Sequence, residues 1–157
     1  MNLDSLNKWL TLGANLAILA GIVLLVLEIQ QNTMATNISS LGSTLSQYNH
    51  FRENIIRDRE VAELWENGLN EEDLDGPDSI RYNMLVSELM FTIQAAFLGM
   101  RESSITEDQP GTTRAVVESY MRYPGMRQWW FTSSRGRFTN DFQTFVDGIL
   151  SEQLEST

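Results

Sequence analysis

The chain has 157 residues, no cysteine and a formal charge of −10, from 11 Lys and Arg against 21 Asp and Glu. That length supports one domain with a modest core. The missing cysteine excludes a disulfide scaffold, thiolate catalysis and Cys-ligated zinc or iron–sulfur centres, and the acidic balance argues against nucleic acid as a partner.

Taken in chain order, the first element is an apolar run. Leu10 to Ile29 reads LTLGANLAILAGIVLLVLEI, with Asn15 and Glu28 as its strongly polar members. Twenty helical residues at about 1.5 Å each reach roughly 30 Å, the thickness of a bilayer's hydrocarbon core. A buried core helix and a cleaved signal peptide are the competing accounts. The run exceeds the roughly 7–15 apolar residues of a signal peptide, and Asp4 offsets the single Lys8 before it. We therefore expect residues 1–30 to form a single-span transmembrane anchor with Trp9 at one interface, and the lipid bilayer to be a partner. At about 100° per residue, Gly13, Ala17, Gly21 and Leu24 share one face, which Glu28 and Gln31 continue. Small residues four apart let helix backbones approach closely, so this face is a candidate for self-association, with Glu28 inside the assembly. Small residues are also common in spans, and a terminal Glu28 reaches the headgroups by itself; both accounts fit.

The helical pattern continues beyond the span. Met34, Ile38, Leu41 and Leu45, then Tyr48 and Ile55, are apolar among Ser, Thr and Asn. This predicts a long amphipathic helix over residues 31–57 with a narrow seam, suited to one partner helix of the same chain or of a neighbouring copy. Asp58 is placed to cap a short helix, Arg59 to Asn67, that ends at Gly68. An acidic loop, Asn70 to Pro77, precedes a helix capped by Asp78 and running to Arg101, with Leu85, Val86, Leu89, Ile93, Ala96, Phe97 and Met100 as its apolar stripe. Ser103 to Gly111 reads as a loop, Thr112 to Arg122 as a helix, and Met126 to Phe131 as a short aromatic helix. Thr139 caps the last helix, and residues 153–157 read as a frayed tail. No strand signal is present. The predicted fold class is all-α: a transmembrane helix continuing into a long amphipathic helix, with a helical bundle over residues 31–152.

Charge is segregated. Glu53 to Asp78 holds ten acids and two arginines, a net −8, whereas Gly111 to Phe138 holds five arginines and one glutamate. Either these are two solvated faces, or they pair, within a protomer or between protomers, and fix the docking of the last helices.

Chemistry-bearing constellations are not evident. The single histidine, His50, forms H-x-x-E with Glu53, but a di-iron bundle needs carboxylates and histidines from several helices. Residues 71–82 resemble a calcium loop at Asp73, Asp75 and Gly76, yet Glu71 stands at the first position and Tyr82 at the last, where a bidentate carboxylate belongs. No P-loop, G-x-S-x-G or G-x-G-x-x-G occurs. No catalytic residue, metal ligand or cofactor is therefore assigned. Trp129, Trp130 and Phe131 cannot all face one core from a helix, so they are candidate interface or ligand aromatics, with core packing expected for two of them.

The order of several segments carries a resemblance. A span ending in EIQQNT (Glu28 to Thr33) leads to a helix with Tyr48 and Phe51, then VAELWENGL (Val61 to Leu69), Tyr123-Pro-Gly with Trp129-Trp130, and FTNDFQTFVD (Phe138 to Asp147). This resembles an uncharacterised bacterial family of small single-span membrane proteins with a C-terminal helical domain. The resemblance implies architecture, carries no activity, and implies a cytoplasmic soluble domain at the inner membrane. This chain departs from the family's basic residues after the span, with Gln30, Ala35 and Thr36, and its lone Lys8 favours a cytoplasmic N-terminus instead. We take the side that the resemblance implies. The leading expectation is a non-enzymatic homo-oligomer joined through Gly13 to Leu45. The alternatives are a pore or transport component with Glu28 and Gln31 near one mouth, and a tethered ligand sensor or hydrolase of unknown small-molecule ligand.

Overall fold

A computed structural model describes residues 2–71, 74–102 and 109–155. Among the described residues every regular element is helical and no strand occurs. Helix α1 spans Leu3–Arg57, α2 Arg59–Leu69, α3 Gly76–Glu102, α4 Gln109–Met121, α5 Pro124–Trp129 and α6 Asn140–Glu155. A π-helical turn, Trp130–Ser134, and a 3₁₀ turn, Arg135–Arg137, join α5 to α6. The chain divides into two compact units, Met1–Ser39 and Ser40–Thr157. The boundary falls inside α1, which runs through it as one helix.

Within the first unit α1 is apolar and unburied. It is long and apolar enough to cross a membrane, and none of its most apolar window is covered by the rest of the chain.

The second unit has one core. Phe51 from α1, Leu64 and Trp65 from α2, and Val86, Leu89, Met90 and Ile93 from α3 are buried there. Val117 and Met121 from α4 and Phe142, Val146 and Ile149 from α6 complete it. Aromatic rings run through it in two groups. Trp65 contacts Phe51, Tyr82 and Tyr120 at centroid distances of 5.3, 5.9 and 6.2 Å. Phe138 contacts Phe91, Trp130 and Phe142 at 4.9, 5.3 and 5.5 Å. Such pairs add about 0.5–1.5 kcal/mol each beyond their burial.

Several boundaries differ from those read in the sequence. Asp58 caps α2 as expected from its position, accepting from the amides of Glu60 and Val61 at 2.9 and 3.2 Å. Gly68 does not end that helix; Asn70 does, and Gly68 is buried inside the last turn. The reason is packing: a Cβ on Gly68 would fall 2.3 Å from the Tyr82 ring, and one on Gly125 would fall 1.8 Å from the Gly68 carbonyl oxygen. The two glycines let the end of α2 and the start of α5 meet backbone to backbone. Helix α3 starts at Gly76, in the left-handed region at φ 49°, so Asp78 lies in the first turn rather than at the cap. Helix α4 starts at Gln109, ahead of the expected Thr112, and α6 continues through Glu155 where a frayed tail was expected. Residues 72 and 73 of the acidic loop, and 103–108 of the expected loop before α4, lie outside the described residues.

Candidate functional site

The face singled out in the sequence lies on α1. Leu24, Met34, Ile38 and Leu45 are 66%, 64%, 60% and 54% exposed, and Glu28 and Gln31 are exposed between them. Gly13 and Gly21 would each meet nothing within 4 Å if given a Cβ, and Ala17 is exposed with them. The Leu41 side chain lies outside the described residues. The next two apolar positions of the seam behave differently: Tyr48 and Ile55 are half-buried against the core of the second unit, flanking Phe51. The seam thus divides. Its end is covered by the chain's own helices, and Met34, Ile38 and Leu45 are not.

The polar surface of α1 is quieter than its composition implies. Thr33 and Thr36 donate to the carbonyls of Ile29 and Asn32 at 2.9 Å, and Thr44 to Ser40 at 3.1 Å. Their hydroxyl protons are thus bonded back to the helix's own carbonyls. Between Glu28 and Arg52 the chain has no acid and no lysine or arginine, so this part of the face is uncharged.

The aromatic triplet separates by position. Trp129 is buried against α3, donating from Nε1 to Asn83 Oδ1 at 3.0 Å. Trp130 is fully buried against α6, donating to Asp147 Oδ1 at 3.0 Å. Neighbours about 100° apart on one turn reach α3 on one flank and α6 on the other. The π-helical turn that starts at Trp130 turns Phe131 out to solvent, 62% exposed.

The polar groups of the second unit act mainly as clasps. Arg135 grips Asp147 from Nε, at 3.3 Å to Oδ1 and 3.0 Å to Oδ2, beside Trp130. The hydrogen bonds from Arg135 hold the Asp147 carboxyl below its ordinary pKa against the opposing effect of burial, and that of Trp130 adds to them. Arg114 pairs with Glu118 at 2.6 Å and also with Glu152 of α6, and Arg101 pairs with Asp141. Among the described residues, then, the basic stretch clasps Glu118 and the acids of α6. The ion pairs of the acidic stretch stay local: Arg57–Glu53, Arg59–Glu63 and Arg81–Asp78. Among the described residues no ion pair within the chain joins the two charged stretches.

Burial pushes the Tyr82 and Tyr120 hydroxyls up, beyond the ordinary tyrosine range. The Tyr120 hydroxyl lies 3.5 Å from that of Tyr48, whose ring is overlain by the Arg52 guanidinium. His50 Nδ1 faces the Asn54 amide at 3.3 Å. Among the described residues no group of three or more His, Asp or Glu converges as metal ligands would. No family model matches this chain, and no curated protein or solved structure does.

Proposed function

We propose that this protein is a membrane-anchored, non-enzymatic homo-oligomer, with Leu10–Ile29 crossing the bilayer and the Gly13–Leu45 face of α1 forming the contact between copies. The observation that supports this reading is the row of large apolar side chains on α1 that the rest of the chain leaves uncovered: Leu24, Met34, Ile38 and Leu45. Lipid suits Leu24; water does not suit Met34, Ile38 and Leu45, which lie past the twenty residues a bilayer accommodates. A row of exposed large apolar side chains on one helix face fits an interaction surface. The resemblance to a family of single-span proteins supports the same architecture, with the second unit proposed on the cytoplasmic side of a bacterial inner membrane. Mass measurement of the full chain in mild detergent tests the proposal. An oligomer is expected, and a clean monomer overturns it.

A second reading rests on Glu28 and Gln31. They share the face with Leu24, so an assembly closed around that face carries polar groups inward and forms a pore mouth. Glu28→Leu in liposomes separates the two: a pore loses ion flux, whereas a scaffold has none to lose and keeps its mass.

A further inference from the structure

We infer that the partner of α1 is the α1 helix of an identical chain lying parallel and in register, and that the contact beyond the span is a left-handed coiled coil ending at Leu45. This rests on the assembly proposed above and adds to it direction, alignment and an end point.

Spacing is the first ground. From Leu10, alternating steps of three and four pass through Leu24, Gln31, Met34 and Ile38 to Leu45, five heptads in one unbroken helix, with Gly21 and Glu28 of the proposed face lying beside the row. A straight helix drifts about 20° per heptad against a 3.5-residue repeat, so this row stays in contact with a neighbour only if two helices wrap left-handed around each other. Lipid or a flat surface imposes no such period. The occupant is therefore a helix, and one whose apolar and polar stretches change over at the same level as those of α1. A second α1 meets that condition by identity, and a shared membrane orientation makes it parallel.

Charge is the second ground. The chain carries −10, which opposes the approach of two copies. Between Glu28 and Arg52 α1 carries no acid, lysine or arginine. The positions flanking the seam there are Gln30, Asn37 and Thr44 on one side and Ala35 and Gly42 on the other. Charged flanks select a different partner or reject a like one; these do neither.

Gln31 is the third. It is the polar member of an otherwise apolar or small row, and a glutamine side chain both donates and accepts. In register, the Gln31 amides of two copies satisfy each other. Shifted by a heptad, each is left against Leu24 or Ile38, so the amide pins the alignment.

The end point follows from the second unit. The next seam positions after Leu45 are Tyr48, Arg52 and Ile55; Tyr48 and Ile55 pack on the chain's own core, and Arg52 lies over the Tyr48 ring at 5.9 Å. No apolar seam remains there for a neighbour.

Because the chain has no cysteine, single cysteines report cleanly. Met34→Cys, Ile38→Cys and Leu45→Cys lie on the seam; Thr36→Cys, Ser39→Cys and Ser43→Cys lie off it. The full-length variants are oxidised in membranes with copper–phenanthroline and their dimer yield is read on a non-reducing gel, since a disulfide needs Cα atoms within about 7 Å. The seam positions are expected to cross-link at least about fivefold more than the others. Equal yields at all six positions, or none at the seam, overturn the inference. If the mass in mild detergent is oligomeric while the yields are flat, register alone fails and the assembly stands; if the mass is monomeric, both fail.

Discussion

Phe142 and Leu24 are comparable apolar side chains on long helices, yet Phe142 is fully buried and Leu24 is 66% exposed. The second unit meets its own apolar demand: α1, α2, α3, α4 and α6 each turn a face inward, and the clasps Arg114–Glu152 and Arg135–Asp147 hold α6 to its neighbours. The first unit covers nothing. Burial of apolar surface is the dominant favourable term in folding, so the two units depend on different surroundings for their stability. One buries a core of its own; the large apolar side chains of the other are exposed.

The sharpest way to break that contrast is to cut the same kind of group from each unit. Phe142→Ala is expected to cost the second unit about 4 kcal/mol, whereas Leu24→Ala changes its unfolding by less than about 0.5 kcal/mol. Urea unfolding followed by tryptophan fluorescence reads both, and similar costs would erase the distinction. A glycine pair gives the next largest difference. Gly125→Ala drives a methyl into the Gly68 carbonyl and is expected to cost about 3 kcal/mol in the same assay, while Gly21→Ala meets open space and leaves folding unchanged.

A smaller effect is expected in acid, confined to the second unit. Asp147 has its native pKa lowered from the ordinary 3.8, so its contribution is complete above that value and is lost as pH falls through the lowered one. Asp147→Asn removes this part of the acid dependence. Matching acid-unfolding curves for the variant and the wild type would show that the Arg135 clasp contributes nothing. The smallest response is to salt. The clasps are partly exposed and, among the described residues, the ion pairs of the acidic stretch are local, so Tm is expected to stay within about 3 °C between low and high salt. A large fall in Tm would mean that long-range pairing holds the helices together after all.

Much of the fold is legible in the sequence where side-chain periodicity is strong. The stripe Val86, Leu89 and Ile93 marks the buried face of α3, and Phe142, Val146 and Ile149 that of α6, because core positions on a helix recur every three to four residues. Asp58 is legible because its carboxylate answers two free amides of the turn it begins. Gly68 is misread, since a glycine near a helix end signals a C-terminus unless another backbone approaches it, and Gly125 lies 57 residues further along the chain. The candidate face was legible as a register. What covers each part of it was not: Met34 and Tyr48 obey one spacing, and only the positions of the later helices distinguish them.

By itself the sequence determined the helical class, the long apolar run, the registers of the faces and the segregation of charge, all of which are local or periodic properties. The tertiary structure decided which apolar positions are satisfied within the chain, that Trp129 and Trp130 turn inward while Phe131 does not, and that Arg114 and Arg135 of the basic stretch clasp Glu118 and α6. Those outcomes depend on contacts between residues far apart in the chain, and periodicity fixes the face a side chain occupies without naming what it meets.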